Sequence, residues 1–178
     1  MPQRTEKDVW IELSIREIST QCHFAELAFK NIYPKAQLGT DAVFTSIHSF
    51  LSHCAMVSKM LMADDQVSVQ EKKSIGDILE ISNTSPIHNR KFRNHLEHYD
   101  ERLKKWIQQY GPDVSIGTYN VGPKSMFAVP GMIFVRHYDP VNYIFTFVNE
   151  DFDLRELFEE VERIKHIADK WVAALPST

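Results

Sequence analysis

A short run near the middle of the chain combines residue types that can move a proton and hold an anion. Arg93, Asn94 and His98 supply a permanent cation, an amide and a titratable imidazole close together in the sequence. An imidazole can transfer a proton near neutral pH, and a guanidinium can hold two phosphate oxygens through parallel donors. Cleavage of RNA without a metal ion needs both of these groups. The run therefore predicts a catalytic site made of Arg93, Asn94 and His98.

The spacing between the arginine and the histidine is a weak signal when it is taken alone. A second match overlaps the first, from Arg90 to His95, and only Arg93 is followed directly by Asn. Short patterns of this kind arise readily by chance. The competing interpretation is an ordinary solvated helix face with assorted polar residues.

Positive side chains surround the run and could contact an RNA backbone. The predicted RNA-binding residues are Arg90, Lys91, His95 and Arg102. The formal net charge of the chain is −4, which argues against nucleic-acid affinity spread over the whole surface. Any contact with RNA must then come from this local patch.

The pattern of apolar residues predicts a mainly helical chain of about five helices. The clearest helix spans 86–110, because Ser85 and Pro86 suit its start and Gly111 suits its end. A capping box from Ser68 to Glu71 is expected to open one of the others. The remaining predicted helices cover residues 6–32, 40–62, 68–82 and 153–174.

Residues 114–148 break the helical pattern and predict a small antiparallel sheet inserted before the last helix. A hairpin is expected from 132–138 and 143–148, with further strands at 114–121 and 125–129. A sheet this small must be covered on one face, by the helices or by pairing of hairpins across a dimer. With the helices as cover, an edge near Arg136 or His137 would remain to recognise a partner or to widen an RNA groove. With no linker or repeat, residues 1–178 are predicted to form a single domain.

On one regular helix, Arg93 and His98 cannot share a face. At about 100° per residue they lie about 140° apart. A two-fold homodimer could bring the arginine of one chain and the histidine of the other into a shared cleft. The sequence therefore predicts such a dimer, with helix 86–110 of each chain lining the cleft.

The segment from Phe92 to Leu103, with its Arg93-Asn94-x-x-x-His98 motif, resembles the HEPN superfamily. The resemblance implies a helical bundle, a homodimer and a metal-independent endoribonuclease of toxin or phage-defence type, without a cofactor. His98 would be the general acid or base, Arg93 would stabilise the phosphorane, and an antitoxin or regulatory protein would be a further partner. The toxin subgroup silenced by a nucleotidyltransferase antitoxin carries a Tyr two residues after the motif His. Here that residue is Asp100, which puts this form of control in doubt.

Composition narrows the class of protein further. Only two cysteines occur, Cys22 and Cys54, and they are expected to be buried thiols of a cytoplasmic protein rather than zinc ligands. No signal core or membrane-spanning segment is expected. Two alternatives to the ribonuclease remain open. One is a catalytically silent HEPN module that binds nucleotide or a protein partner, and the other is a helical interaction protein unrelated to that superfamily.

Overall fold

Helices make up most of the chain, as the sequence predicts. The computed structural model describes residues 4–35, 39–62, 69–89, 91, 98–111, 114–123 and 132–175. The helices are α1 (Glu6–Lys30), α2 (Ile32–Lys35), α3 (Thr40–Leu61), α4 (Val69–Ile78), α5 (Tyr99–Tyr110) and α6 (Leu154–Ala173), and a 3₁₀ turn covers Pro86–His88.

The core lies where α1 packs between α3 and α6. Each of these helices turns one apolar stripe inward, at the three- and four-residue spacing that places side chains on one helix face. The fully buried side chains of this layer include Ile15, Ile18, Ile47, Phe50, Leu51, Val57, Leu154 and Ile164. Both cysteines are buried thiols, and burial raises the pKa of Cys22 to about 12, which makes it unreactive.

Local chemistry sets several of the helix ends. Thr5 and Asp8 form a capping box at the start of α1. The Asp153 carboxylate accepts hydrogen bonds from the amides of Arg155 and Glu156 and so caps α6. Gly111 ends α5 with a φ of 74°, a left-handed conformation that glycine adopts without steric cost.

A mixed four-stranded sheet lies between α5 and α6 in the chain. Its strands are β1 (Ser115–Val121), β2 (Met132–Asp139), β3 (Ile144–Phe147) and β4 (Glu150–Asp153), in the spatial order β1-β2-β3-β4. The predicted hairpin is confirmed as the antiparallel pair β2–β3, and Phe145 and Phe147 are buried in the core. The prediction of a purely antiparallel sheet is wrong, because β1 pairs with β2 in parallel. The strand expected at 125–129 lies outside the described residues.

The expectation of one regular helix over 86–110 is also wrong. The segment opens with a 3₁₀ turn, which Ser85 caps by accepting from the Ile87 amide, and Asn89 then leaves the helical region with a ψ of 92°. His98 has a φ of −125° and a ψ of 38°, and α5 begins only at Tyr99. The part of the segment that the structure describes therefore holds at least two separate helical pieces.

Arg136 and His137 do not lie at an edge of the sheet. Both are on β2, which is paired with β1 on one side and β3 on the other. His137 is buried, with 6% of its surface exposed. The predicted recognition edge at these two residues is therefore wrong, and their side chains point to opposite faces of an inner strand.

Candidate functional site

The predicted site residues divide into two groups. Arg93 and Asn94, with Arg90 and His95, lie outside the described residues. His98, Lys91 and Arg102 are described: His98 and Arg102 lie at the start of α5, and Lys91 lies just after the 3₁₀ turn.

His98 occupies the N-cap position of α5 with its side chain exposed. Its carbonyl oxygen accepts a hydrogen bond from the Arg102 amide at 3.1 Å, so its backbone opens the helix. The imidazole makes no capping hydrogen bond to the first turn. The ring is therefore accessible to a substrate, and its removal costs the helix no side-chain cap.

The break at His98 changes the geometry of the motif. The separation of about 140° between Arg93 and His98 holds only if the helix is regular from one residue to the other. Because His98 is not in a helical conformation, that rotation does not extend to it. The geometric requirement for a second chain at the motif therefore no longer holds.

The other two described residues of the predicted patch behave differently from each other. Lys91 is exposed, and its amide donates to the Asn89 side-chain oxygen at 3.1 Å. Arg102 is partly buried and forms an ion pair with Glu150 of β4, at 3.7 Å between Nη1 and Oε1. Lys91 is thus available to a phosphate, whereas Arg102 ties α5 to the sheet.

Tyr99, the residue after His98, fixes the start of α5 against the sheet. Its ring stacks on Phe147 with the centroids 5.4 Å apart, and its hydroxyl accepts a hydrogen bond from Arg136 Nη2 at 3.1 Å. The Arg136 guanidinium also lies over the rings of Tyr99, Tyr119 and Phe147, at 5.4 to 5.6 Å from their centroids. Such cation–π contacts hold a charged group among aromatic faces. Arg136 therefore helps to hold Tyr99, the residue that follows His98, against the sheet.

His48 of α3 completes this group, which we call the Arg136 cluster: Arg136, His48, Tyr99, Tyr119 and Phe147. Arg136 Nε donates to His48 Nε2 at 3.2 Å. A guanidinium cannot accept a hydrogen bond, so His48 must be neutral with its proton on Nδ1. Burial, with the charge of Arg136 as a second cause, lowers the pKa of His48. His48 therefore serves as an acceptor for the arginine.

Arg136 also keeps donors that these contacts do not use. Among the described residues, the hydrogen bonds to His48 and Tyr99 engage two of its five N–H groups. Within the described residues, no carboxylate lies within ion-pair distance of Arg136. A guanidinium with spare donors, set among aromatic rings, can hold a phosphate and stack a base.

Sequence reasoning could not have assembled this cluster. Arg136 and His48 are 88 residues apart in the chain, and no motif links them. The one available signal was a single arginine within the otherwise mostly apolar and aromatic strand β2.

The opposite face of the sheet carries a row of polar side chains at one register position. Asn120, His137, Thr146 and Asp151 come from the four successive strands. The Asn120 amide nitrogen lies 2.9 Å from His137 Nδ1, and the Thr146 hydroxyl donates to Asp151 at 2.5 Å. The row lines a shallow cleft of about 280 Å³.

A second cleft, of about 260 Å³, lies beside β4 and the start of α6. Its lining includes the carboxylates of Asp151, Asp153 and Glu156. Carboxylates repel a polyanion, so this cleft is a poor site for RNA. The Arg136 cluster beside His98 has the charge that RNA needs.

Comparisons of the chain with protein families, with curated proteins and with solved structures find no match in any of the three. Among the described residues, no group of three or more His, Cys, Asp and Glu side chains could hold a metal ion. Within the same residues, no helix is long and apolar enough to cross a lipid bilayer.

Proposed function

We propose that this protein is a metal-independent endoribonuclease of HEPN type, acting as a toxin or in phage defence. The observation that carries the proposal is the position of His98, exposed at the non-helical start of α5. A histidine that transfers protons must reach its substrate, and a side chain buried in a regular helix could not.

In this proposal the reaction is an attack of the ribose 2′-oxygen on the neighbouring phosphorus. His98 takes the proton from the 2′-hydroxyl or gives one to the departing 5′-oxygen. Arg93 stabilises the negative charge that gathers on the phosphorane oxygens, and Asn94 orients the phosphate or the imidazole. The bond from phosphorus to the 5′-oxygen breaks, which leaves a 2′,3′-cyclic phosphate and a 5′-hydroxyl.

The Arg136 cluster supports the proposal from the sheet side. Arg136 donates directly to the hydroxyl of Tyr99, the residue that follows His98, so the cluster adjoins the segment that carries the imidazole. The Tyr119 ring, which is 42% exposed, is the member of the cluster on which a base could stack. Phosphate binding at Arg136 would place the adjoining nucleotide next to His98.

Cleavage of a labelled single-stranded RNA in EDTA tests the proposal. We expect His98→Ala and Arg93→Ala each to lower the cleavage rate by roughly 10²-fold or more, as removal of an acid–base or charge-stabilising group does. His166→Ala is the matched control, because His166 is an exposed histidine on α6. An RNA with 2′-O-methyl groups throughout should resist the wild-type protein. Equal rates in wild type and both site variants would exclude these roles.

A catalytically silent module that binds nucleotide or RNA is the second candidate. The Arg136 cluster favours it, because its only titratable imidazole, His48, is neutral and already serves as an acceptor. Such a cluster can bind an anion but cannot readily shuttle a proton. RNA that binds the wild type, is released by Arg136→Met and is never cleaved would favour this candidate.

A further inference from the structure

Helix α1 has a second apolar face, which points away from the core. Trp10, Leu13, Phe24 and Leu27 are respectively 38%, 61%, 42% and 48% exposed. At about 100° per residue these four side chains fall within an arc of about 100°, the width of an apolar helix stripe. We call them the α1 stripe. A helix that buries one stripe in its own core has no structural need for another.

The spacing of the apolar side chains in the α1 stripe is the same from either end of the helix. Trp10 and Leu13 form one apolar pair, and Phe24 and Leu27 form the other at the same spacing. A second copy of α1, antiparallel to the first, places Leu13 opposite Phe24 and Trp10 opposite Leu27. Every apolar side chain then meets another, as a self-complementary two-fold interface requires.

Polar residues at the centre of the stripe suit the same arrangement. Arg16, Glu17 and Thr20 are all exposed between the two apolar pairs. In the antiparallel pair Glu17 lies opposite Thr20 of the other copy, about one helical turn from the other copy's Arg16. A long arginine side chain spans that distance, so Arg16, which donates to Glu12 of its own helix at 2.9 Å, can also reach Glu17 of the other copy.

The α1 stripe continues onto α3 through a groove of about 300 Å³. The groove is lined by Phe24, Leu27, Ala28, Asn31, Thr45, Ser46, Ser49 and His53. Its α3 side consists mainly of small hydroxyl side chains, which allow another helix to approach closely. The antiparallel arrangement brings Trp10 of the second copy to Leu27, at the groove, and an indole is large enough to fill much of it.

The exposed area is on the scale of an interface. Together with Met56 of α3, which is 45% exposed, the stripe presents on the order of 450 Å² of mainly apolar surface. A standard interface buries about 800 Å² on each partner, so the polar neighbours must supply the remainder. A second identical stripe meets all four apolar side chains and brings Glu17 within reach of the other copy's Arg16.

We propose that the protein forms a two-fold homodimer through the α1 stripe, with the two α1 helices antiparallel. This interface is distinct from the shared cleft at the segment 86–110 that the sequence predicts, and it does not depend on ribonuclease activity. It leaves His98 of each copy exposed.

Sedimentation of the full chain at several concentrations tests the proposal. We expect the wild type to be a dimer at micromolar concentration. Leu13→Glu should weaken the dimer by roughly 100-fold, because the two-fold axis places two buried carboxylates against Phe24 rings. The matched control is Val141→Glu, at a side chain 66% exposed in the β2–β3 turn, and it should leave the dimer unchanged. A monomeric wild type, or a Leu13→Glu variant as dimeric as the control, overturns the proposal.

Disulfide trapping tests the antiparallel register itself. The natural cysteines Cys22 and Cys54 are both buried, so introduced thiols dominate the reaction. The double variant Leu13→Cys with Phe24→Cys should form covalent dimers on mild oxidation. Leu13→Cys alone should not, because eleven residues of helix, about 16 Å, separate residue 13 of one copy from residue 13 of the other. Cross-linking by the single variant at the rate of the double variant contradicts this register.

Discussion

Replacement of Arg136 by Met removes the contacts that hold the start of α5 against the sheet. The guanidinium donates to His48 at 3.2 Å and to Tyr99 at 3.1 Å, and it lies over three aromatic rings. Hydrogen bonds from a charged group contribute about 1.5–3 kcal/mol each, and exposed cation–π contacts about 0.5–1 kcal/mol. The bonds are long, and a partly buried cation costs desolvation energy, so the net loss should be near 2 kcal/mol.

Urea unfolding followed by tryptophan fluorescence measures this loss. Trp106 lies on α5 and is buried, so its emission reports whether α5 remains docked. Trp10→Phe and Trp171→Phe provide a background in which Trp106 is the only tryptophan, since the chain has three. For a chain of this length, 2 kcal/mol also corresponds to a fall in Tm of about 4–8 °C.

Arg155→Met is the matched control for Arg136→Met. Arg155 makes a cation–π contact with Tyr143 at 4.3 Å but is exposed, so its loss should cost at most about 1 kcal/mol. An Arg136→Met variant that loses no more stability than Arg155→Met would refute the role assigned to the cluster.

Three further changes test other parts of the fold. The folded-state pKa of His48 is depressed, so the neutral ring contributes stability above the usual pKa near 6.5, and this stability is lost as the pH falls through the folded-state pKa. His48→Gln should therefore reduce the fall in the free energy of unfolding between about pH 7 and pH 5. If the free energy of His48→Gln fell as steeply with pH as that of His166→Gln, this prediction would be contradicted. Asp153→Ala removes both capping hydrogen bonds of α6 and should cost about 1 kcal/mol by urea unfolding, whereas the exposed Glu159→Ala should be nearly neutral. Gly117→Ala would place a Cβ 2.5 Å from the Phe134 ring and should lower the free energy of unfolding by about 1–3 kcal/mol. Gly76→Ala in α4, where nothing lies within 4 Å of the added Cβ, should be neutral or stabilise the protein by up to about 1 kcal/mol. Equal effects of the two glycine changes on Tm would show that β1 is not packed as described.

The elements with local signals could be predicted from the sequence. Asp153 starts α6 because a carboxylate satisfies the first amides of a helix, and Gly111 ends α5 because it tolerates a positive φ. The aromatic residues of β2 and β3 likewise predict a hairpin. These signals lie within a few residues of the structures that they determine.

The sheet's other features have weaker local signals. The turn between β3 and β4 places Val148 and Asn149 at φ values of 49° and 66°, which a two-residue turn of this hand needs. Valine rarely adopts such a conformation, so nothing in the sequence indicated β4. The sequence did not predict the parallel pairing of β1 with β2 either, because a connection as short as 122–131 is more typical of a hairpin between antiparallel strands.

The candidate site was predictable in its motif but not in its surroundings. The apolar periodicity of 86–110 continues through His98, so the pattern gave no sign that the backbone leaves the helix there. The contact of Arg136 with His48 and Tyr99 joins three distant segments and depends on the tertiary fold. Sequence spacing gives His98 as a candidate, and the fold adds an arginine in contact with Tyr99, the residue that follows it.

The single-turnover rate of RNA cleavage in EDTA tests the ribonuclease proposal most directly. Wild type and His166→Ala should cleave at the same rate, give 2′,3′-cyclic phosphate ends and lose activity when the 2′-oxygens are methylated. His98→Ala should retain the folded protein's Tm, because His98 makes no side-chain cap, and should cleave at most about one hundredth as fast. Cleavage by His98→Ala at the wild-type rate, or no cleavage of any RNA by the wild type, would contradict the proposed function.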